Sequence, residues 1–238
     1  RSSILLLALV GCVGVAGVSS AWAQTPAAAP PVAPQAAVTP PKAAPSAPTS
    51  DNRIPIFALD ARGTFARIGQ DKLTAAGLST TVSDLSARAF GVVGGAHVYP
   101  IRTRAFAFGI GGEAILTRAS FEPVDATTKK PTGKQYNRRL RGVSGQASLN
   151  FGHTMGWSYL TVGMGPTSFE SYLSTATPDG LRPMTLNFGG GARWFNFNHL
   201  AFTVDLRFYR TRAAVATKNT AARDNKNIMV MSAGIAIK

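Results

Sequence analysis

Three histidines and one cysteine are the side chains of this 238-residue chain best suited to nucleophilic catalysis or metal binding: His97, His153, His199 and Cys12. Acyl transfer needs a histidine beside a serine nucleophile, yet none of the three histidines begins a His-x-Ser pairing. A metal site needs several ligands at close spacing, which isolated histidines do not supply. The sequence therefore predicts no catalytic residue, no metal site and no cofactor.

Three glycine clusters could be taken for phosphate-binding loops: Gly94-Gly95, Gly111-Gly112 and Gly189-Gly190-Gly191. Each lies inside a segment of strand-like alternation with no helix after it, so the context of a phosphate loop is missing. Glycine inside a strand instead marks curvature or the close approach of another group. We interpret these clusters as room for long side chains such as Arg193.

The formal net charge of +14 could indicate nucleic-acid binding. Against this, the chain has no basic helix, no zinc-ligand spacing and no RNA-binding aromatic signature. We therefore expect no nucleic-acid partner.

The segment Met184–Arg212 shows the elements that must position the polar side chains. From Leu200 to Tyr209, apolar residues alternate strictly with small or polar ones, which indicates a strand with two different faces. Pro166 is expected to end the fifth strand, because proline cannot donate within a ladder. The alternation predicts eight strands and no helix, with the strands at about 56–67, 89–99, 104–116, 140–151, 157–165, 184–195, 200–212 and 228–238.

The predicted connections alternate in length. Those after the second, fourth and sixth strands are short, whereas those at about 69–88, 122–139, 171–183 and 211–227 are long and polar. This layout predicts an all-β fold, an eight-stranded antiparallel up-and-down transmembrane β-barrel with its long loops on one rim. A soluble barrel with an apolar core would show the same alternation seen inside out, and it remains the alternative.

Charge and aromatic placement favour the membrane version. Three acids and three bases share the polar face of the strands, which predicts paired charges in a narrow lumen: Asp60, Arg62, Glu113, Arg193, Asp205 and Arg207. Aromatic residues near strand ends predict two girdles at headgroup level. The expected girdle residues are Tyr99, Phe151, Trp157, Trp194 and Phe197 by the short turns, and Phe121, Phe169, Tyr172 and Tyr209 by the long loops.

The first part of the chain has a different composition. Arg1, an apolar run and the Ala21-Trp22-Ala23 site predict a secretory signal peptide over residues 1–23. An alternative is a lipoprotein signal, in which Cys12 would carry the lipid. Residues 24–53 form a Pro/Ala-rich stretch that predicts a flexible linker in the periplasm, and residues 54–238 form the barrel domain.

The stretch Gly189–Phe195, the turn after it and Asp205-Leu206-Arg207 resemble the late hairpin of the OmpA-like eight-stranded outer-membrane barrels. The segment Val230–Ile237 is similar to their closing strand. The resemblance implies a bacterial outer-membrane location, insertion by the barrel assembly machinery and a monomer. Some relatives modify lipid A, but here His153 and His199 fall at the short-turn rim, opposite the lipopolysaccharide face.

These observations predict a structural or surface-interaction role rather than an enzyme. The alternatives are a small-solute pore and a lipid A-modifying barrel. Arginine and lysine are natural partners of lipopolysaccharide phosphates, although external loops of this kind can also be merely solvated. The residues proposed for this contact are Lys129, Lys130, Lys134, Arg138, Arg139, Arg212, Lys218, Arg223 and Lys226.

Overall fold

The computed structural model describes residues 52–125 and 127–238, which belong to one compact unit, Thr49–Lys238. Eight antiparallel strands close into a barrel in sequence order, and the last strand pairs with the first. The predicted eight-stranded up-and-down barrel is therefore confirmed. The strands are β1 Phe57–Arg67, β2 Arg88–Arg102, β3 Phe106–Phe121, β4 Tyr136–His153, β5 Gly156–Leu173, β6 Met184–Phe195, β7 Leu200–Thr211 and β8 Lys226–Ile237.

The predicted signal peptide and the linker up to residue 51 lie outside the described residues. At the end of the linker, the carbonyl of Asn52 accepts a hydrogen bond from the Thr154 amide at 3.3 Å. Ile54 is buried and its carbonyl accepts from Arg102 at 3.2 Å. The chain is thus already attached to the short-turn end of the barrel before β1 begins.

Three strands run further toward the long loops than the sequence predicted. β3 continues to Phe121, β4 begins at Tyr136 and β5 continues to Leu173. The prediction that Pro166 ends β5 is wrong. Its missing amide is tolerated because Pro166 lies opposite Met184, the first residue of β6, and the β4–β5 pairing is interrupted at Pro166.

One short helix, α1 Lys72–Gly77, lies in the connection between β1 and β2, where no helix was expected. Asp71 caps it, since its side chain accepts a hydrogen bond from the Thr74 amide at 2.5 Å. Six residues are too few for a helical period to show in the sequence. Within the described residues, no helix is long and apolar enough to cross a membrane.

The outer wall of the barrel is apolar and the interior is polar at mid-height. Leu160, Phe90 and Phe202 point outward and are 63%, 67% and 50% exposed. The inward positions of the same strands hold charged and polar side chains that are almost fully buried. Two buried apolar clusters lie in the interior, one around Phe169 and Leu140 toward the long loops and one around Trp157 toward the short turns. The charged layer lies between them.

The aromatic girdle prediction is half wrong. Phe151, Trp194 and Phe197 do point outward, and they are 45%, 48% and 68% exposed. Phe121 is half-buried against the ring of Tyr136. Strand parity, rather than closeness to a strand end, turns Tyr99, Trp157, Phe169 and Tyr209 inward. Tyr172 has the outward parity on β5 and is covered there, with the Arg139 guanidinium over its ring. Buried instead of exposed are Tyr99, Trp157, Phe169, Tyr172 and Tyr209.

Candidate functional site

Arg62 is the centre of the charged layer inside the barrel. Its guanidinium contacts three carboxylates that come from three different strands. The Nε atom lies 2.8 Å from Asp60 Oδ1, and Nη1 lies 3.1 Å from Asp205 Oδ2. The Nη2 atom contacts Glu113 Oε2. One side chain thus joins β1, β3 and β7 across the lumen.

Two further arginines complete this cluster. Arg193 Nη2 lies 2.7 Å from Asp60 Oδ2. Arg207 lies 2.9 Å from Glu113 Oε1 and 3.0 Å from Asp205 Oδ1. We call these residues the interior charge network: Asp60, Arg62, Glu113, Arg193, Asp205 and Arg207. Each is at most 7% exposed, so all six predicted lumen charges lie together and away from solvent.

Three tyrosines also hydrogen-bond to this network, and two of them, Tyr159 and Tyr209, are not among the lumen residues that the sequence analysis names. The Tyr159 hydroxyl donates to Asp205 at 2.7 Å, and the Tyr209 hydroxyl donates to Glu113 at 2.9 Å. Arg193 donates to the Tyr99 hydroxyl at 3.1 Å and lies over the Tyr159 ring at 4.6 Å. The inward direction of all three tyrosines can be predicted from the sequence, because they share the strand parity of the charged residues.

Inward glycines provide space for these side chains. A Cβ atom at Gly191 would lie 2.6 Å from the Tyr159 hydroxyl, and one at Gly189 would lie 2.9 Å from Arg207 Cγ. The structure thus gives the glycine cluster the expected purpose, with Tyr159 and Arg207 as its neighbours in place of Arg193.

The histidines lie apart from one another. His97 is buried in the interior, 5% exposed, whereas His153 and His199 are exposed at the short-turn end. Among residues 52–125 and 127–238, no three histidine, cysteine, aspartate or glutamate side chains are grouped closely enough to hold a metal ion.

Apart from Arg139, the basic residues predicted for lipopolysaccharide contact divide into two groups. Arg138, Arg223 and Lys226 are used inside the protein. Arg138 is fully buried and donates to the Ser86 and Gly69 carbonyls at 2.6 and 3.1 Å. Arg223 donates to the Phe169 carbonyl, and Lys226 pairs with Asp71. These three side chains are therefore unavailable to an external phosphate. Exposed to solvent are Lys129, Lys130, Lys134, Arg212 and Lys218.

The pair between Asp71 and Lys226 fastens α1 to the start of β8 at the barrel mouth. Burial by itself would raise the pKa of Asp71, but hydrogen bonds from Lys226 and Thr74 outweigh it and hold the pKa below its usual value. Asp71 is therefore ionised over the physiological pH range and fixes the loop.

Arg139 faces outward and belongs to a group that the sequence analysis did not recognise. Its Nη2 lies 3.1 Å from Glu170 Oε2. The neighbouring strands carry arginines of the same outward parity near the long-loop end. We call this group the outer-wall arginines: Arg67, Arg88, Arg118, Arg139 and Arg141. Their strand parity, which is that of the apolar outer face, predicts that these arginines point outward.

No protein-family model matches the chain, and no curated protein matches it. Solved structures of similar fold include Ail, the attachment invasion locus protein of Yersinia pestis, in complex with the heparin analogue sucrose octasulfate. It is 12% identical, with a TM-score of 0.42, and the match covers 78% of this chain and 99% of that one. For Neisserial surface protein A the identity is 14%, the TM-score 0.45 and the coverage 79% and 99%. For outer membrane protein AlkL in lipid bilayers these values are 12%, 0.38, and 84% and 96%.

Proposed function

We propose that this chain is a bacterial outer-membrane barrel protein with a structural and surface-interaction role. The observation that carries the proposal is the distribution of side chains, which is apolar on the outer wall and charged inside. A closed barrel is one of the two structures that satisfy every backbone polar group within a bilayer. A continuous apolar wall of this kind in water would be a large exposed patch, which soluble monomers avoid.

The interior supports a role other than conduction. The interior charge network spans the lumen by direct ion pairs, and an apolar cluster lies on either side of it. Eight-stranded barrels have interiors that side chains can fill. We propose that this lumen is closed to solutes, in contrast to the small-solute pore hypothesis.

The positions of the histidines support a non-enzymatic role. His153 and His199 lie at the short-turn end, away from the long loops, and His97 lies among the interior charges. A lipid A-modifying site would need a base and a nucleophile at the long-loop rim. Mass spectrometry of lipid A from cells with and without the protein should therefore give the same spectrum, and a new lipid A species would refute this part of the proposal.

The long-loop end supports contact with the cell surface. Lys129, Lys130 and Lys134 are exposed in the connection between β3 and β4, and Arg212 and Lys218 are exposed in the connection between β7 and β8. Lysine and arginine pair with phosphate through charge-assisted hydrogen bonds. Membership of the OmpA-like family, the assembly machinery and the monomeric state stay predictions that go with this role.

A matched pair of substitutions tests whether the outer wall faces lipid. Leu160 lies at mid-height in β5, opposite Gly190, and is 63% exposed. Leu181 lies in the connection between β5 and β6 and is 60% exposed. In a bilayer, Leu160→Arg should cost about 2–4 kcal/mol, whereas Leu181→Arg should cost close to nothing.

The measurement is heat-modifiable gel mobility of each variant after extraction from the outer-membrane fraction, with the urea midpoint of the folded band. We expect a folded wild type, an unchanged Leu181→Arg and a marked loss of folded band for Leu160→Arg. A protein that fractionates as soluble and tolerates both arginines equally would overturn the membrane proposal.

A further inference from the structure

The outer-wall arginines lie where the apolar wall ends. Toward the middle of the barrel, the next outward residues on their strands are apolar. Phe90, Leu116 and Val143 are 67%, 50% and 54% exposed. Toward the long loops, the next outward residues on β3 and β4 are Ser120 and Asn137. In the proposed membrane location, the guanidinium groups lie at headgroup depth in the outer leaflet.

The strand register makes these arginines one continuous patch. Arg67 lies directly opposite Arg88 across β1 and β2. Arg118 lies directly opposite Arg139 across β3 and β4. The diagonals close the remaining gaps, because Arg118 is opposite Phe90, two residues from Arg88, and Arg141 is two residues from Arg139. Four strands spaced by about 4.8 Å give a patch roughly 15 Å wide, which is enough for more than one phosphate.

The patch lacks internal charge balance. Like charges directly opposite each other on neighbouring strands are destabilising, and here this occurs twice. Among the described residues, one acid, Glu170, pairs with the patch, through Arg139. Arg118 donates to a neutral partner, Asn137 Oδ1, at 3.1 Å. The buried Nε of Arg141 has no hydrogen-bond acceptor within the described part of the chain. An external anion would relieve this repulsion.

We propose that the outer-wall arginines bind the phosphate groups of lipopolysaccharide, with the lipid's acyl chains lying against the apolar wall below. This inference rests on the proposed outer-membrane function and moves the main lipid contact from the loops to the wall. The planar guanidinium fork matches phosphate oxygens in pairs, which a flexible lysine cannot do. The apolar residues beneath give the site its preference for a lipid over a free anion.

Two variants with equal charge loss separate the wall from the loops. The wall variant combines Arg67→Gln, Arg88→Gln, Arg118→Gln and Arg141→Gln, and leaves Arg139 with Glu170. The loop variant combines Lys129→Gln, Lys130→Gln, Lys134→Gln and Lys218→Gln. Each removes four positive charges from the same end of the barrel, so a difference between them reports position and not net charge.

The readout is the lipopolysaccharide that remains bound per folded barrel after detergent extraction, quantified by mass spectrometry. We expect the wall variant to lose about tenfold or more of the bound lipid, a factor that corresponds to one charge-assisted contact or more, and the loop variant to keep most of it. Equal losses in both variants, or a loss confined to the loop variant, would overturn the proposal.

Two further arms identify the ligand. The first arm uses vesicles that contain lipopolysaccharide without its phosphates. Wild type should bind these vesicles as weakly as the wall variant binds vesicles with intact lipopolysaccharide. Millimolar inorganic phosphate should leave the wild-type lipid in place, and displacement by it would mean a site for a soluble anion. Heat-modifiable mobility is recorded for every sample. A wild type without that shift contradicts the membrane function itself, whereas a shifted barrel without bound lipid contradicts only the arginine site.

Discussion

The arginines of the interior charge network and the outer-wall arginines differ in the partners that surround them. Arg62, Arg193 and Arg207 each contact at least one carboxylate, and the interior holds three acids for these three bases. The outer-wall arginines number five and have one acid, Glu170, among the described residues. The same side chain is therefore neutralised by protein carboxylates in one place and, apart from Arg139, lacks a protein carboxylate in the other, where we propose an external anion.

The difference shows two uses of charge in one fold. A buried ion pair replaces lost hydration only when each group keeps its partners, so the interior charge network must be complete to be tolerated. At the headgroup interface a guanidinium remains partly hydrated, so the free-energy cost of leaving it without a carboxylate partner is small. Interior substitutions should consequently affect folding, and outer-wall substitutions should affect lipid binding.

The largest expected effect is that of Arg62→Met. This change removes the cation that contacts Asp60, Asp205 and Glu113 and leaves three buried acids against two bases. We expect the free energy of unfolding to fall by about 3–5 kcal/mol, measured by urea titration of the heat-modifiable band. Arg88→Met on the outer wall is the control and should change it by less than about 0.5 kcal/mol.

Charge balance can be tested further with a double substitution. Arg62→Met together with Glu113→Leu leaves two acids and two bases, so part of the lost stability should return. If the double variant is no more stable than Arg62→Met alone, the interior arginines and acids do not balance one another in the manner described.

A medium effect is expected from glycine substitutions that compare interior packing with the outer wall. Gly191→Ala would place a Cβ against the Val204 carbonyl and 2.6 Å from the Tyr159 hydroxyl. We expect it to lower the free energy of unfolding by about 1–3 kcal/mol, since the interior is closely packed. Gly145 faces outward on β4 and a Cβ there meets no atom within 4 Å, so Gly145→Ala should be close to neutral. Equal costs would mean that the interior has spare room.

The smallest effect is expected at the barrel mouth, where Asp71 pairs with Lys226 and holds α1. The pKa of Asp71 is lowered in the folded protein, so its stabilising effect is present above its ordinary pKa of 3.8 and is lost as pH falls through the lowered value. Amide hydrogen-exchange protection of α1, corrected for intrinsic rates, should fall on acidification below about pH 4. Asp71→Asn should show weaker protection at neutral pH and a flatter dependence. An unchanged pH profile would show that the Asp71 carboxylate does not stabilise α1.

Strand parity made most of the barrel predictable. The alternation along β7 and β8 determines which residues face inward, and the six members of the interior charge network could be chosen from that rule alone. Their pairing across the lumen depends on the register of non-adjacent strands. Arg62 meets Asp205 although 143 positions separate them in the sequence, and no local pattern specifies that contact.

At the long-loop end of the strands, beyond the apolar band, the sequence no longer predicts where a strand ends or which way its side chains point. On β4 before Leu140, polar residues follow one another without alternation, so the sequence predicts that the strand starts at Leu140 and places Arg138 in an external loop. Arg138 points inward and is fully buried, while Arg139 beside it points outward. The same loss of contrast hides the outer-wall arginines, whereas the extension of β5 past Pro166 is missed because a proline was expected to end the strand.

Planar-bilayer conductance of the purified wild-type barrel tests the central claim, a lumen closed by balanced charges, most directly. Protein with a confirmed heat-modifiable shift should give a silent membrane at ordinary salt and voltage, because ion pairs and two apolar clusters fill the interior. Reproducible unit conductance steps from that same preparation would contradict the closed interior and make this protein a small-solute pore.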